Sequence, residues 1–412
     1  MRLAAASGEK SDLQAEVSAV LDARLRRDES RPLAIAVSGG GDSVALLLMA
    51  KAWAERAGRD LIVLTVDHRL QAASAAWTDA CARRAERLGL AFRALAWSGE
   101  KPTGGLPAAA RAARHRLLAE AAREAGARVI LMGHTAEDVL EARAMRLAGS
   151  TTPAPREWAP SPAWPEGRGV FLLRPLLGLR RGELRDWLCA RGERWIEDPA
   201  NADLRYARAR ARRGLGAGPA PAPGRTEPNP LAAVCVMDAA GVLAVSREAL
   251  RAAPRAEAQA FVAAACLCAA GTARPPAPAR AQRLLARLVA HEPVTATLAG
   301  ARIEAQADAV LFLREPGEAA RGAMPAIRLR AGETRVWDGR FEITAERDVE
   351  VRPLAGLAAR LPPQVRAGLR SIPPKARAGL PVEGGEVILV PARALALQRL
   401  HAACGLIDRE LD

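Results

Sequence analysis

Through the first half of the chain, uniform apolar runs alternate with segments of helical period. Residues 12–28 place Leu13, Val17, Val20, Leu21 and Leu25 along one side of a predicted helix. Leu33-Ala34-Ile35-Ala36-Val37 is a short, wholly apolar run, the pattern of a strand buried on both faces. Val44–Ala50 then reads as helix. The same alternation continues with a strand over Leu61–Val66, a helix over 72–88 and a strand over Phe92–Trp97. A Gly- and Pro-rich loop, 98–107, leads into a helix reaching about Ala125. Val129–Met132 is a fourth strand, followed by a helix from a Thr135 cap to Leu147. Residues 149–169 are dense in Pro and Gly and are expected to be loop. Val170–Leu173 is a fifth strand, and 182–190 a further helix. Strands separated by helices predict an α/β domain with a doubly wound, Rossmann-like parallel sheet.

The second half has a weaker pattern. Gly, Pro and Ala crowd the stretch from Gly214 to Pro230, which reads as a linker. Beyond it, Val234–Val245 suits a hairpin around Ala239-Ala240-Gly241. Helices are expected over 247–270 and 277–290, and strands over Thr295–Leu313. Strand-like pieces recur at Ile327–Leu329, Thr334–Thr344 and Val387–Val390. The organisation expected is therefore a catalytic α/β domain over 1–215, a linker over 216–230, a smaller α+β unit over 231–320 and a β-containing unit over 321–412.

Composition narrows the function class. With 412 residues and 50% apolar content the chain has enough material for several packed cores. No apolar run has membrane-spanning length, and the first eleven residues lack the apolar centre of a secretory signal, so a cytoplasmic protein without a membrane partner is expected. Cysteines at 81, 189, 235, 266, 268 and 404 form no CxxC pair and are expected to be buried small hydrophobes. The net charge of +14 favours a polyanionic partner, nucleic acid first, although richness in Arg and Ala also fits a compositional bias.

The candidate chemistry sits at strand ends. Ser38-Gly39-Gly40-Gly41-Asp42-Ser43 joins the first strand to its helix. A glycine turn feeding a helix N-terminus presents backbone N–H groups to an anion, and two serines add hydroxyls. No Gly-Lys-Ser/Thr closes the turn, so it is not a Walker loop. Asp42 beside a phosphate calls for a bridging cation, which suggests Mg²⁺. The plain alternative is a turn that only joins strand to helix. Gly133-His134-Thr135-Ala136-Glu137-Asp138-Val139-Leu140-Glu141 opens the helix after the fourth strand, with Asp138 and Glu141 on one face. Such a group can hold Mg²⁺, bind an ammonium or move a proton, though acids at a helix start also complement the dipole. Arg111 and Arg114, three apart with His115 following, can grip phosphate or simply face solvent. Between Leu204 and Arg213 stand five arginines and no acid, beside Tyr206, the only tyrosine. That segment suits an RNA backbone and a stacked base, or a solvated helix.

The glycine turn resembles the SGGxDS signature of the PP-loop ATP pyrophosphatases. Further segments over 33–213 resemble, in order, the motifs of the tRNA(Ile)-lysidine synthase family. Asp67-His68-Arg69-Leu70 stands for DHGLR, and Ala110-Arg111-Ala112-Ala113-Arg114-His115 for ARxxRY. Gly133–Glu141 stands for GHxxDDxxET, Arg174-Pro175-Leu176-Leu177 for RPLL, and Trp195-Ile196-Glu197-Asp198-Pro199-Ala200-Asn201 for WxEDPSN. The resemblance implies a ligase that uses ATP and Mg²⁺ to adenylate O2 of the wobble cytidine in the CAU anticodon of tRNA(Ile). Pyrophosphate leaves, free L-lysine attacks C2, and AMP departs. The codon read changes from AUG to AUA.

On that resemblance, the ATP site takes in Ser38, Gly39, Gly40, Gly41, Asp42, Ser43 and His134. Catalytic roles fall to Asp42, Arg111, Asp138 and Glu141, metal to Asp42 and Asp138, and tRNA contact to Arg114, Arg205, Arg208 and Arg212. A homodimer is left open. The chain departs from the motifs at His115 for Tyr, Glu137 for Asp, Arg69 for Gly, Val139 and Ala142 in the helix box, and Ala209 for Asn. The nearest rival is a PP-loop 2-thiocytidine synthase, for which paired CxxC cysteines would be expected.

Overall fold

A computed structural model describes residues 12–149, 154–198, 207–213, 227–322, 324–384 and 387–411. The chain forms two compact units, Met1–Thr226 with Asp408–Asp412, and Glu227–Ile407. No helix among the described residues is long and apolar enough to cross a membrane.

The first unit is built on strands β1 (Leu33–Ala36), β2 (Leu61–Asp67), β3 (Ala91–Ala96), β4 (Val129–Met132), β5 (Trp158–Pro160) and β6 (Phe171–Leu173). Their order is β3-β2-β1-β4-β6-β5. All neighbours are parallel except β5, which runs antiparallel to β6. This is the α/β doubly wound sheet expected from the alternation of elements. The order reverses between β1 and β4, where such sheets open a crevice at the strand C-termini. Helices α1 (Leu13–Arg24), α2 (Gly41–Ala57), α3 (Ser74–Arg87), α4 (Leu106–Glu124), α5 (Ala136–Leu147), α6 (Arg181–Cys189) and α7 (Ala207–Arg213) complete the unit. Residues 149–169, expected to be loop throughout, contain the edge strand β5. Three residues ending in Pro160 carry too little pattern to be read, but Trp158 stacks on Phe171 at 4.9 Å and fixes the pairing. Cys189, expected to be buried, is exposed at the end of α6, while the other five cysteines are buried and all six are free.

The second unit holds two apolar cores. One packs Phe261, Leu284, Leu288, Ile303 and Phe312 with Leu400. The other gathers Trp337, Phe341, Ile343, Val351 and Val382. The expected hairpin is present as Val236–Met237 paired with Leu243–Ser246. The helix expected over 247–270 is broken into Arg247–Ala252 and Arg255–Ala270. Pro254 forces Ala253 into the extended region (ψ 147°), as proline does to the residue before it. Val387–Val390, expected as a strand, supplies only an isolated bridge between Leu389 and Val382.

A buried ion pair closes the first unit on itself. The five N–H groups of Arg59 are all used: Nη1 and Nη2 donate to Glu410 at 3.0 Å each, and the rest go to the carbonyls of Arg26 and Arg31. Both side chains are at most 1% exposed. Glu410 also accepts from the Arg26 N–H, and its own N–H donates to the Arg24 carbonyl at 2.8 Å. Removing one partner leaves a buried charge uncompensated. Glu410→Ala is expected to lower the unfolding free energy by about 3–5 kcal/mol in urea denaturation. A loss below about 1 kcal/mol, the range of exposed pairs, would mean that the charge is reached by water.

Candidate active site

The glycine turn lies at the C-terminal end of β1, with Gly40 as the N-cap of α2. Ser43 organises it from within. Its hydroxyl accepts from the Ser38 N–H at 3.2 Å, donates to the Gly40 carbonyl at 2.8 Å and lies 3.3 Å from the Ser38 hydroxyl. Gly39 has φ +83°, the left-handed region in which a side chain is strained. A Cβ there would also lie 2.5 Å from Ile196 Cδ1. The Ile196 N–H donates to the Gly39 carbonyl at 2.9 Å, and Trp195 lies 3.5 Å from where a Cβ of Gly41 would stand. The glycines thus admit the Trp195-Ile196 segment over the turn, a packing need that the sequence alone did not separate from approach by phosphate.

Gly133 brings the second motif alongside. A Cβ at this position would fall 3.1 Å from the backbone of Asp42 and Ser43, so its absence lets the end of β4 close on the start of α2. The Asp138 carboxylate accepts from the Thr135 N–H at 2.7 Å and the Thr135 hydroxyl at 3.2 Å, which ties the first turn of α5. Asp138 and Glu141 both lie on the buried side of α5.

The carboxylates meet at Arg181, the first residue of α6. Its Nε donates to Asp42 Oδ2 at 2.9 Å, its Nη2 lies 3.8 Å from Asp138 Oδ2, and its Nη1 lies 3.7 Å from Glu141 Oε1. Burial alone would lower the guanidinium, but Asp42, Asp138 and Glu141 outweigh it and hold Arg181 above the ordinary arginine value. Burial pushes the Asp42 carboxyl up; Arg181 opposes that push and Asp138 adds to it. Glu141, with a side chain 0% exposed, also accepts from Arg212 Nε at 2.8 Å. Arg212, expected at the tRNA, therefore reaches into the acidic cluster. Glu137, the longer acid in place of Asp, accepts from the Arg181 N–H at 3.1 Å and faces Arg180 at 3.6 Å.

A basic pole lies beside this acidic one. Arg174, from the RPLL segment, donates from Nε to His134 Nδ1 at 3.1 Å and from Nη1 to the Arg156 carbonyl at 2.7 Å. Burial first, then repulsion from Arg111, Arg114 and Arg156, lowers Arg174 to about 9. His115 is buried among the same charges. Burial, then Arg114, Arg111, Arg174 and His134, pushes it down to about 2. Neither of its ring nitrogens has a hydrogen-bond partner. Arg69 takes the left-handed backbone (φ 53°) that the usual glycine of its motif would suit, and its N–H donates to the Asp67 carboxylate at 2.7 Å.

Of the residues singled out from sequence, Ser38–Ser43, His134, Asp138 and Glu141 are brought together at the ends of β1 and β4. Arg111 and Arg114 share the basic pole with Arg174. Arg205 and Tyr206 lie outside the described residues, as does the side chain of Arg208. Arg181 was missed. Its signal is a cation at the first position of a helix, where the dipole disfavours positive charge unless a specific acid is near. Among the described residues no group of three or more His, Cys, Asp or Glu is arranged to hold a metal by itself. Asp42 and Asp138, both near Arg181, fit instead the pattern in which Mg²⁺ takes one or two carboxylates and completes its shell with substrate phosphates and water.

A PP-loop domain matches residues 10–217. Over nearly its whole length the chain is similar to a tRNA(Ile)-lysidine synthase of Caulobacter vibrioides, 48% identical over 413 aligned positions that take in 96% of this chain and 98% of that protein. A tRNA(Ile)-lysidine synthase of Mesorhizobium japonicum is 44% identical over 188 residues, 42% of this chain and 39% of that one. Among solved structures, a U34-tRNA thiolase from Methanococcus maripaludis aligns with a TM-score of 0.40 and 16% identity, covering 49% of this chain and 71% of that chain.

The buried, neutral His115 makes stability depend on pH. In the unfolded chain a histidine takes up a proton near pH 6.5, whereas the folded one resists until about pH 2. The unfolded state therefore binds one more proton between these values. The contribution is fully present above about pH 6.5 and is lost as pH falls, by up to about 1.4 kcal/mol per pH unit. His115→Tyr, which restores the usual residue of the motif, is expected to flatten that acid slope in urea unfolding. Parallel profiles for the two proteins would show that His115 ionises in the fold.

Proposed function

The chain belongs to the tRNA(Ile)-lysidine synthase family of PP-loop enzymes, and on that premise we propose how its residues carry out the reaction. The activity is the ATP-dependent formation of lysidine at the wobble position of tRNA(Ile). The observation that carries the residue-level reading is the convergence of Asp42, Asp138 and Glu141 beside the glycine turn.

A cytosine carbonyl is a poor electrophile. Transfer of AMP to O2 of the wobble cytidine in a CAU anticodon turns that oxygen into a leaving group. Ser38, Gly39, Gly40, Gly41 and Ser43 would cradle the departing pyrophosphate with N–H and hydroxyl donors at the start of α2. Mg²⁺, held by Asp42 and Asp138 with the phosphates, would neutralise their charge. Arg111, which shares the basic pole with Arg174 and His134, would stabilise charge developing on the transferred phosphorus group.

The second step needs a cationic substrate to become a nucleophile. Free lysine is an ammonium at neutral pH and has to lose a proton before it attacks C2. Asp138 and Glu141 offer carboxylates for recognising that ammonium and taking up its proton. Arg114, Arg205 and Arg208 would meet the RNA backbone, which fits the arginine-rich run before the linker, whereas Arg212 is held at Glu141. The 2-thiocytidine alternative loses ground, since no CxxC pair is present.

Incubation of the full chain with tRNA(Ile), ATP and lysine is expected to convert the wobble cytidine to lysidine, read by mass spectrometry of the digested tRNA. Asp42→Ala and Glu141→Ala should each lower kcat/KM by about 10²–10³-fold or more while tRNA affinity stays nearly unchanged. Unmodified cytidine with the native protein would contradict the function. Near-normal turnover in either variant would contradict the roles.

A further inference from the structure

Arg181 has a position that its helix disfavours and a set of contacts that it does not fill. It stands at the first residue of α6, where the helix dipole repels positive charge. Of the three carboxylates, only Asp42 receives a hydrogen bond from its guanidinium, at 2.9 Å; Nη2 donates instead to the Thr135 hydroxyl at 3.4 Å. Asp138 and Glu141 stand off at 3.8 and 3.7 Å, beyond hydrogen-bond length. The guanidinium therefore neutralises three carboxylates while holding one of them. The side chain is 15% exposed and stands against Asp42 of the glycine turn.

We propose that Arg181 is a resident counter-ion of the acidic cluster that keeps divalent metal out until nucleotide arrives. Without nucleotide, it occupies Asp42 and screens Asp138. Phosphate groups at the glycine turn offer the guanidinium a bidentate anionic partner within reach of the same crevice. Arg181 turns to that partner, and Asp42 is released to take the metal. Metal loading is thereby tied to nucleotide loading, and the acidic cluster stays paired between turnovers. This rests on the reading of Asp42 as a metal ligand, but not on which base or amine the enzyme joins.

The test uses the full chain with Mn²⁺ as the probe, titrated by electron paramagnetic resonance without ATP, tRNA or lysine. The native protein is expected to bind Mn²⁺ weakly. Arg181→Met should bind it at least about tenfold more tightly, because the competing charge is gone. Arg181→Lys should stay close to the native protein, and Asp42→Asn placed in the Arg181→Met chain should abolish the gain. Arg181→Gln serves as a second neutral variant if Arg181→Met unfolds, with circular dichroism as the control. Equal or weaker Mn²⁺ binding in a folded neutral variant overturns the proposal, as does a gain that survives Asp42→Asn. Lysidine formation, measured separately, can fail or succeed without changing this outcome.

Discussion

Three carboxylates from two strand ends sit together because one guanidinium lies among them. Like charges at this spacing repel strongly where water is scarce, so a cluster of Asp42, Asp138 and Glu141 requires a cation. Arg181 supplies it, and Arg212 adds a second at Glu141. The surrounding architecture makes that gathering feasible. The sheet order places β1 beside β4 at its reversal point, and Gly133 lets the two strand ends close to backbone contact.

From this follows a site with two poles. Acids held by Arg181 face one side, and Arg111, Arg114 and Arg174 crowd the other around His134 and His115. Asp138 lies within electrostatic reach of both Arg181 and Arg174. A reaction that brings in a polyphosphate and an ammonium needs such a division. In the proposed mechanism the basic pole would receive negative charge that shifts as pyrophosphate leaves, and the acidic pole would receive a cation that has to be deprotonated. Arg174 and His115 are both held below their ordinary values by burial and by the positive groups buried with them, an arrangement favoured when an anion completes it.

Much of this was legible in the residues because it depends on local pattern. Apolar runs such as Leu33–Val37 and Val129–Met132 are short, wholly apolar and closely followed by a glycine, the pattern of strands buried on both faces, and the glycine turn marks the strand end by its composition. Asp138 and Glu141 share a helix face through spacing alone. What stayed hidden depends on tertiary approach. Gly39 is needed by Ile196, which lies 157 positions later in the chain. Arg212, assigned to tRNA contact by the resemblance, meets Glu141, 71 positions earlier in the chain. Arg181 carried a signal in its unfavourable helix position, but its partners come from segments that no sequence window joins. In the second unit, short strands and an Ala-rich background blur the period, which is why Val387–Val390 was expected as a strand and the break at Pro254 was not expected.

In the proposed mechanism the glycine turn and the acidic cluster act on the bond between the α and β phosphorus atoms of ATP. Chromatographic separation of labelled products after incubation with tRNA(Ile) and lysine tests it directly. The account predicts AMP and pyrophosphate in amounts equal to the lysidine formed. ADP and orthophosphate as the tRNA-dependent products would contradict it.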